Sequence, residues 1–437
     1  MSRIITFIKK LLRKTRSTTV VIDPQHIIPR NQHRVSKTDI SANALKVLNR
    51  LNSAGFQAYL VGGSVRDLLL HKAPKDFDVA TNATPSQIRA LFRNARIIGR
   101  RFKLAHIIYG RDIIEVATFR GEEIEAADQR TNVRGMLIRD NVFGTFEQDA
   151  WRRDFTINSL YYNIQDGSIV DFTGGVLDIN ERLIRIIGEP IKRYQEDPVR
   201  MLRAIRFSAK LNFNIATETA SPMLQLNTLI THISGSRLFD EITKLYQCGA
   251  SEVAHNLLIQ YKLFPILFTQ TYALFDSDYP VHQLLLIIIR STDRRILENK
   301  PVTPAFLFAV FLWFPLRAKT KQLKADGLPA LAALEKAMSE VIAEQNRVIT
   351  VPKRYTQIMR EMWIMQYRLP KRTGNRAFQM LQHPRFRAAY DLLIMRAEAG
   401  DEDTTLADWW TTFQAQDVTE QMRMVQDVSQ RTEGVIR

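Results

Sequence analysis

Strand-like patterns occur only in the first 190 residues of this chain, and helical patterns fill almost all of the remainder. Short apolar runs typical of strands, such as FQAYLVGG (56–63) and IIEVATF (113–119), alternate with helical segments up to Gly188. From about residue 195 onward, apolar residues recur with the helical period. This change predicts an α/β head followed by a helical remainder, so the expected fold class is α/β + all-α.

The chain has 437 residues, more than one hydrophobic core accommodates, which predicts about two to four domains. Nine basic residues and two prolines in the first forty residues suggest a flexible arm. The predicted divisions are a basic flexible arm at 1–40, an α/β head at 41–190, a helical part at 191–275 and a basic helical part at 276–437.

Two local signals in the head are specific enough to test. TPSQIRALFRN predicts a helix start, with Thr84 as its N-cap, Pro85 at the first helical position and Gln87 completing a capping box. LAHIIY and IIEVATF flank a turn at 110–112 and predict a β-hairpin.

The composition indicates the kind of partner and compartment. A net charge of +16 and a pI near 9.9 favour a polyanion, RNA or DNA before an anionic membrane surface, although a generically basic protein would show the same excess. The one cysteine, Cys248, excludes intramolecular disulfides and indicates a reducing compartment, the cytoplasm. The apolar run at 304–316 is too short to span a bilayer, so no stable membrane insertion is expected.

The stretch KAPKDFDVA (72–80) places two carboxylates in a segment with a strand pattern. Strand side chains alternate, so Asp76 and Asp78 are expected on one face and Phe77 and Val79 on the other. Two like charges on one face repel, and enclosure removes their hydration. A divalent metal ion between them is therefore expected.

Three further segments of the head carry polar groups at informative positions. In LVGGSVRDLLL (60–70) a strand runs through two glycines into a helix, which allows close approach of a phosphate to backbone N–H groups, although a tight turn would have the same pattern. Glu115 has apolar neighbours along its strand, so this strand is expected to be covered on both faces. A buried carboxylate there requires a metal or an arginine such as Arg120 nearby. In RRDFTINSL (152–160) a helix would bring Asp154 and Asn158 together, unless the segment is a solvated helix end.

Several enzyme classes are excluded by what the chain lacks. It contains neither the P-loop pattern GxxxxGK[ST] nor GxGxxG, which argues against P-loop NTPases and Rossmann dehydrogenases. No Ser/His or Cys/His arrangement near these motifs suggests a covalent nucleophile.

Five separated motifs resemble the class II nucleotidyltransferases, the family of bacterial poly(A) polymerases and CCA-adding tRNA nucleotidyltransferases. They are, in order, LVGGSVRDLLL, PKDFDVATNATP, EVATFR, RRDFTINSL and EDPVRMLRAIRF, within about residues 41–260. IIGRRFKLAHI (97–107) and the stretch from PAFLFAVFLWFPL to HPRFRAAYDLLIMRAE resemble the proteobacterial poly(A) polymerase branch. The resemblance implies a polymerase-β-like palm with a mixed sheet, followed by helical neck, body and tail domains.

The resemblance also implies a role for each matching residue. Asp76 and Asp78 would hold two catalytic Mg²⁺ ions, with Glu115 as third carboxylate and Asp154 supporting the site at the ribose. The residues implied in nucleotide binding are Gly62, Gly63, Ser64, Arg66, Arg153, Asn158, Asp197, Arg200, Arg203 and Arg206. Among them Arg153 would meet the triphosphate, the 197/200 pair would read the base, and Arg203 and Arg206 would contact phosphates. Judged from the residues alone, Asp197 could instead be an N-cap and the arginines a solvated stripe.

The expected function is template-independent addition of poly(A) to RNA 3′ ends from ATP by a two-metal mechanism, which promotes RNA decay. Expected partners are the 3′ ends of mRNA and other transcripts, ATP and RNA-decay proteins.

Ten basic residues against two acidic ones between Lys353 and Arg396, interleaved with aromatic residues, suggest a single-strand binder, although most of the aromatics could be core. The alternatives are a CCA-adding enzyme and a non-catalytic RNA-binding module on the same fold.

Overall fold

The computed structural model describes residue 23 and residues 26–99, 103–121 and 143–434. The chain forms two compact units, Met1–Arg200 with Asn212–Pro222 and Met201–Leu211 with Met223–Arg437. The first unit contains all the described strands, and the secondary structure of the second unit is helical throughout its described residues apart from the connecting loops. The expected α/β + all-α class is confirmed, whereas the further division at 275 stays a prediction.

The first unit is built on one eight-stranded sheet in the order β1-β8-β7-β2-β3-β6-β5-β4. Its strands are β1 Ile27–Ile28, β2 Ala58–Val61, β3 Asp78–Thr81, β4 Ala95–Ile98, β5 Leu104–Tyr109, β6 Asp112–Thr118, β7 Leu160–Tyr162 and β8 Ile169–Asp171. β3 and β6 run parallel and the other neighbours run antiparallel, which confirms a mixed sheet. A small separate sheet pairs β9 Leu183–Ile184 with β10 Asn214–Ile215.

The local predictions in the head are confirmed. β5 and β6 form the hairpin, with Tyr109 paired to Asp112 around a turn whose Gly110 has φ +63°. Thr84 accepts the backbone N–H of Gln87, and the Gln87 side chain accepts that of Thr84. The first unit's helices are α1 Ala42–Ser53, α2 Gly63–Leu69, α3 Pro85–Leu91, α4 Phe146–Arg152, α5 Gly175–Glu181, α6 Pro190–Glu196 and α8 Thr217–Ala220; α7 Val199–Leu211 contains the division between the units.

The expected arm at 1–40 is too long at its C-terminal end. β1 pairs with β8, and Val35 and Ile40 are buried, with 3% and 5% of their surface exposed. Burial of apolar side chains is favourable, so this part of the segment is ordered and is not a solvated arm. Residues 1–22 and 24–25 of the expected arm lie outside the described residues.

An aromatic cluster fixes α4 against the sheet. The rings of Tyr59 and Phe146 stack with centroids 4.3 Å apart, and Tyr161 meets Phe146 edge to face at 4.7 Å. Phe119 and Phe172 complete this buried cluster. Because α4 ends at Arg152, the cluster determines where the following residues of the RRDFTINSL motif lie.

The second unit packs helices around several apolar layers. Its helices are α9 Met223–Leu226, α10 Gly235–Tyr246, α11 Ser251–Gln260, α12 Phe264–Leu267, α13 Thr269–Tyr272, α14 Val281–Leu297, α15 Pro304–Phe311, α16 Trp313–Ala325, α17 Ala330–Gln345, α18 Lys353–Arg368, α19 Arg376–Leu381, α20 Phe386–Glu398, α21 Thr404–Ala415 and α22 Val418–Gly434. Asp401, 1% exposed, accepts hydrogen bonds from Trp313 Nε1 and Arg396 Nε, each at 2.8 Å, and pairs with Arg317. Among the described residues no helix has the length and apolarity needed to cross a membrane.

Candidate active site

Asp78 and Glu115 lie side by side on one face of the sheet. Asp78 begins β3, and the parallel register of β3 with β6 places it opposite Glu115. Residues opposite each other in paired strands present their side chains on the same face. Val79 and Val116, 1% and 0% exposed, alternate with them and face the core. The sheet therefore brings together two of the three expected carboxylates.

Asp76 precedes β3, so the expectation that both aspartates lie within one strand is wrong for Asp76. The pairing of β2 with β3 ends at Val61 and Asp78, because Gly62 turns the chain away with φ +75°. Asp76 therefore has no β2 partner opposite it. It still lies near enough to Asp78 to raise the pKa of that residue.

The electrostatics of Asp78 suit a bound cation. The pKa of Asp78 is raised to about 6, mainly because surrounding protein atoms partly desolvate its carboxylate. The negative charges of Glu115 and Asp76 also raise this pKa, and the positive charge of Arg153 lowers it. Asp78 nevertheless keeps solvent-exposed surface, so an ion can reach it. Carboxylate oxygens in excess over nearby positive charge are a fitting donor set for Mg²⁺.

The described residues contain no group of three or more His, Cys, Asp and Glu side chains that could hold a metal by themselves. Magnesium usually binds proteins through one or two carboxylates and completes its octahedron with water and substrate phosphates. Asp76 and Asp78 fit that partial ligand set.

Glu115 is more exposed than expected, because its strand is open on this face. Its side chain is 48% exposed, so the prediction of a strand covered on both faces is wrong. His106 Nε2 lies 3.1 Å from Glu115 Oε1, and Glu115 forms no ion pair with Arg120 among the described residues. His106 stands opposite Glu115 in the β5–β6 register. The hairpin register therefore places this histidine beside the Glu115 carboxylate.

The glycine pair lies where β2 passes into α2, as expected. A Cβ on Gly62 would lie 3.5 Å from Arg153 Nη1, so this backbone contacts the guanidinium closely. The Ser64 hydroxyl donates to the carbonyl of Val61 at 3.1 Å and is buried. Ser64 therefore holds the turn with its side chain, and only its backbone stays suited to a ligand.

Arg66 and Asn158 act on Asp154 through a chain of hydrogen bonds. Arg66 Nη1 donates to Asn158 Oδ1 at 2.5 Å, and Asn158 Nδ2 donates to Asp154 Oδ1 at 3.2 Å. Asp67 holds the other side of the Arg66 guanidinium at 2.7 Å. Arg66 and Asn158 are buried, with 3% and 8% exposure, so they position Asp154 in this structure and do not present an open binding surface.

The expected helix through Asp154 and Asn158 is not formed. α4 ends at Arg152, Arg153 is extended with ψ 169°, and Asn158 lies in a short 3₁₀ turn. Asp154 accepts the backbone N–H of Phe155 at 2.8 Å. The two side chains meet as expected, but tertiary bonds rather than helical spacing bring them together.

Arg153 is held by two residues that the sequence argument missed. It donates to Tyr161 Oη at 2.8 Å and to Asp149 Oδ2 at 3.0 Å, and Tyr161 donates to the same Asp149 oxygen at 2.7 Å. Burial alone would lower the pKa of Arg153, but Tyr161 and Asp149 more than offset it and the pKa lies above its ordinary value. The i, i+4 spacing of Asp149 and Arg153 is the sequence feature from which their ion pair could have been predicted.

A second unforeseen group joins this motif to the end of α6. Arg193 Nη2 donates to the carbonyls of Arg152 and Arg153 at 2.8 and 2.5 Å. Glu196 then pairs with both Arg193 and Arg200 at 3.0 Å. The carbonyls of Arg152 and Arg153 are thereby linked through Arg193 and Glu196 to Arg200, one of the two residues expected to recognise the base.

The expected base-reading and phosphate-contacting residues have these surroundings. Asp197 Oδ1 accepts the Val199 N–H at 3.3 Å, which fits the capping alternative without removing the base-reading role. Arg203 and Arg206 belong to the second unit, where their guanidinium groups lie over the Phe207 ring at 5.5 and 4.5 Å. The roles assigned to Asp197, Arg200, Arg203 and Arg206 stay predictions.

Comparison with protein families matches three segments of the chain. Residues 58–185 match the Poly A polymerase head domain, residues 212–274 the probable RNA and SrmB-binding site of polymerase A, and residues 326–436 the polymerase A arginine-rich C-terminus. The first segment contains Asp78 and Glu115 together with Arg66 and Arg153.

Curated relatives match almost the whole chain. Poly(A) polymerase I of Salmonella typhimurium is 48% identical over 98% of this chain and 94% of its own length, and that of Haemophilus influenzae is 46% identical over 92% and 91%. The CCA-adding enzyme of Bacillus subtilis is 38% identical over 51% of this chain and 54% of its own length. The CCA-adding enzymes are therefore the more distant relatives.

Solved structures agree in fold. The Thermotoga maritima CCA-adding enzyme complexed with tRNA covers 90% of this chain and is itself covered to 87%, with a TM-score of 0.59 and 20% identity. A tRNA nucleotidyltransferase complexed with a primer tRNA and an ATP analog superposes with a TM-score of 0.56 at 21% identity. The match covers 87% of this chain and 99% of that one. With the relatives above, these matches confirm the resemblance drawn from the five motifs: the chain belongs to the poly(A) polymerase I family of nucleotidyltransferases.

Proposed function

We propose that this protein is a polynucleotide adenylyltransferase that adds AMP from ATP repeatedly to RNA 3′ ends without a template. The observation that carries the proposal is the pairing of Asp78 with Glu115 on one sheet face, with Asp76 beside them. The full-length similarity to poly(A) polymerase I supports adenylate addition over CCA addition.

In this reaction the RNA 3′-oxygen forms a bond to the α-phosphorus of ATP, and the bond from that phosphorus to the bridging oxygen breaks. Pyrophosphate leaves with the bridging oxygen, and the proton of the 3′-hydroxyl passes to water. Asp76 and Asp78 would hold the magnesium ions. Mg²⁺ supplies activation of the 3′-oxygen and neutralisation of charge on the leaving group. Glu115 adds a third negative group at the same face, and His106 restrains it.

Arg153 is suited to the triphosphate. It stays charged at any pH at which the protein is folded. Its charge acts on Asp78, and it lies against Gly62 at the glycine pair. The Asp149–Tyr161 clamp orients the guanidinium before substrate binds, which lowers the entropy lost on binding. Asp154, positioned by Asn158, is proposed to support the ribose.

Base selection is proposed for Asp197 and Arg200. The carboxylate and guanidinium can accept from and donate to the edge of an adenine. Arg200 is presented by two fixed bonds, to Glu196 at 3.0 Å and to the Arg193 carbonyl at 2.6 Å. We further propose mRNA and other transcripts as substrates in the bacterial cytoplasm, with tails that promote decay and RNA-decay proteins as partners.

A four-nucleotide extension assay tests the proposal. A generic RNA and a tRNA that lacks its CCA end are incubated with Mg²⁺ and each nucleoside triphosphate in turn. Long tails with ATP alone, on both RNAs, are expected. Incorporation of CTP followed by a single AMP would make this chain a CCA-adding enzyme. RNA binding with unchanged primer length would make it a non-catalytic binding module.

A further inference from the structure

A deep groove lies within the second unit, between α14 and α20. It encloses about 970 Å³ and is also lined by the loop before α15 and by residues of α18. The groove lies outside the segment 212–274, the part of the chain matched to a probable RNA-binding site. Nothing in the site described above uses it.

The floor of the groove is apolar and carries one accessible ring. Ile288 and Met362 are buried there, with 1% and 0% exposure. Phe306 and Ile394 also line the groove and are only half-buried. An accessible aromatic ring beside aliphatic side chains provides a surface on which a nucleobase stacks, regardless of which base it is.

The rim of the groove is positively charged. Six cationic side chains line it against three acidic ones, Glu298, Asp391 and Glu398. The cations are Arg290, Arg294, Arg295, Lys300, Arg385 and Arg387. They come from both walls, so a strand lying in the groove would have positive charge on either side.

Four of the six cations form ion pairs: Arg290, Lys300, Arg385 and Arg387, with Glu252, Glu298, Glu361 and Asp391 in that order. The most exposed of these pairs can be exchanged for a phosphate. Arg290 and Arg387 are 63% and 73% exposed and pair with Glu252 at 2.7 Å and Asp391 at 3.0 Å. Exposed pairs contribute about 1 kcal/mol or less, so exchange for a phosphate costs little. Arg294 is exposed and has no ion pair or hydrogen-bond partner from its side chain among the described residues.

We propose that this groove binds single-stranded RNA, with backbone phosphates on the cationic rim and a base stacked at Phe306. The ligand class rests on the proposed function, since RNA is the polyanion of that reaction, but the groove needs no catalysis to bind it. An apolar floor flanked by positive charge distinguishes this site from a generic basic surface, because both stacking and phosphate contacts are provided.

The test compares binding of a fluorescently labelled oligo(A) of about 12 nucleotides to the full chain at several salt concentrations. One variant, Arg290→Ala with Arg294→Ala, alters the α14 wall, and Arg387→Gln alters the α20 wall. Phe306→Leu tests stacking. The matched control is Lys336→Ala with Arg423→Ala, which removes two charges at side chains 54% and 72% exposed outside the groove.

Each lost phosphate contact lowers the slope of log affinity against log salt by about 0.7 on a single strand. We expect the α14 variant, which loses two contacts, to bind about tenfold more weakly with a slope smaller by about 1.4. The α20 variant loses one contact, and its slope is expected to be smaller by about 0.7. Phe306→Leu is expected to weaken binding severalfold with the slope unchanged. The control is expected to bind as the parent does.

Equal losses in the control and the groove variants would overturn the proposal, because charge anywhere would then suffice. Unchanged affinity in the α14 variant would overturn it too. Displacement of the oligo(A) by poly-glutamate as readily as by unlabelled RNA would assign the groove to acidic polypeptides instead. A parent that binds oligo(A) through the groove but does not extend it would overturn the proposed function alone.

Discussion

We expect the carboxylate pair in the first unit to lower stability when no metal is bound, which makes Asp78→Asn an informative change. The substitution keeps the size of the side chain and removes its charge from the neighbourhood of Glu115 and Asp76. We expect it to abolish RNA extension, because a ligand for Mg²⁺ is lost. We also expect it to stabilise the metal-free protein, because repulsion and desolvation are relieved.

The magnitude follows from the pKa of Asp78, about 6 in the folded state against 3.8 for an ordinary aspartate. The folded protein binds this proton more tightly than the unfolded chain, so stability falls as the pH rises between these values, and the whole penalty is present above about pH 6. At about 1.36 kcal/mol per pKa unit, the difference between these two pKa values corresponds to about 3 kcal/mol of unfolding free energy. Because Asp78 keeps exposed surface, solvent screening reduces this to about 1 kcal/mol.

Urea unfolding in EDTA measures the effect. At pH 7 the variant is expected to be about 1 kcal/mol more stable than the parent, and below about pH 4 the two are expected to match. Added Mg²⁺ should stabilise the parent more than the variant. The matched control is Asp408→Asn on exposed helical surface, with no change expected. A variant less stable than the parent at pH 7, or a gain that persists at pH 4, would refute the reasoning.

The surroundings of the site and one buried ion-pair cluster provide three further tests. Asp149→Asn leaves Arg153 without its buried counter-charge, so we expect a loss of about 2 kcal/mol in urea unfolding and about a tenfold higher KM for ATP. His106→Ala frees Glu115, so we expect kcat to fall about fivefold, with His106→Gln recovering most of it. Asp401→Asn removes the shared acceptor of the second unit and is expected to cost about 3 kcal/mol in unfolding free energy.

Each of these expectations has a result that contradicts it. An unchanged KM in Asp149→Asn would mean that the clamp does not serve the triphosphate. Equal rates for His106→Ala and His106→Gln would remove the restraint on Glu115 as the cause. Asp401→Glu keeps the charge and should cost less than Asp401→Asn; the reverse order would place the stabilisation in packing rather than in charge.

Local signals predicted local structure well. The Thr84 capping box, the hairpin at Gly110 and the passage from strand through Gly62 to helix are all decided by residues within a few positions of each other. Such elements depend on backbone preferences and short-range hydrogen bonds, which are present in the sequence itself.

Contacts between distant segments were harder to predict. The place of Asp76 before β3 depends on where β2 stops pairing, and the open face at Glu115 depends on what covers the sheet. The pairing of His106 with Glu115 follows from the register of the β5–β6 hairpin. Because that hairpin was predicted from the sequence, this pairing could have been predicted as well.

The amino-acid sequence alone determined the α/β head and helical remainder and the local turns and caps, because periodicity and backbone preference are local properties. Only the tertiary structure decided that Asp78 and Glu115 are neighbours, that Arg66 and Asn158 position Asp154 from within the core, and that Asp149 and Tyr161 hold Arg153. The physical reason is that strand register and desolvation arise when segments far apart in the chain pack together, and the pKa of Asp78 is a consequence of that packing.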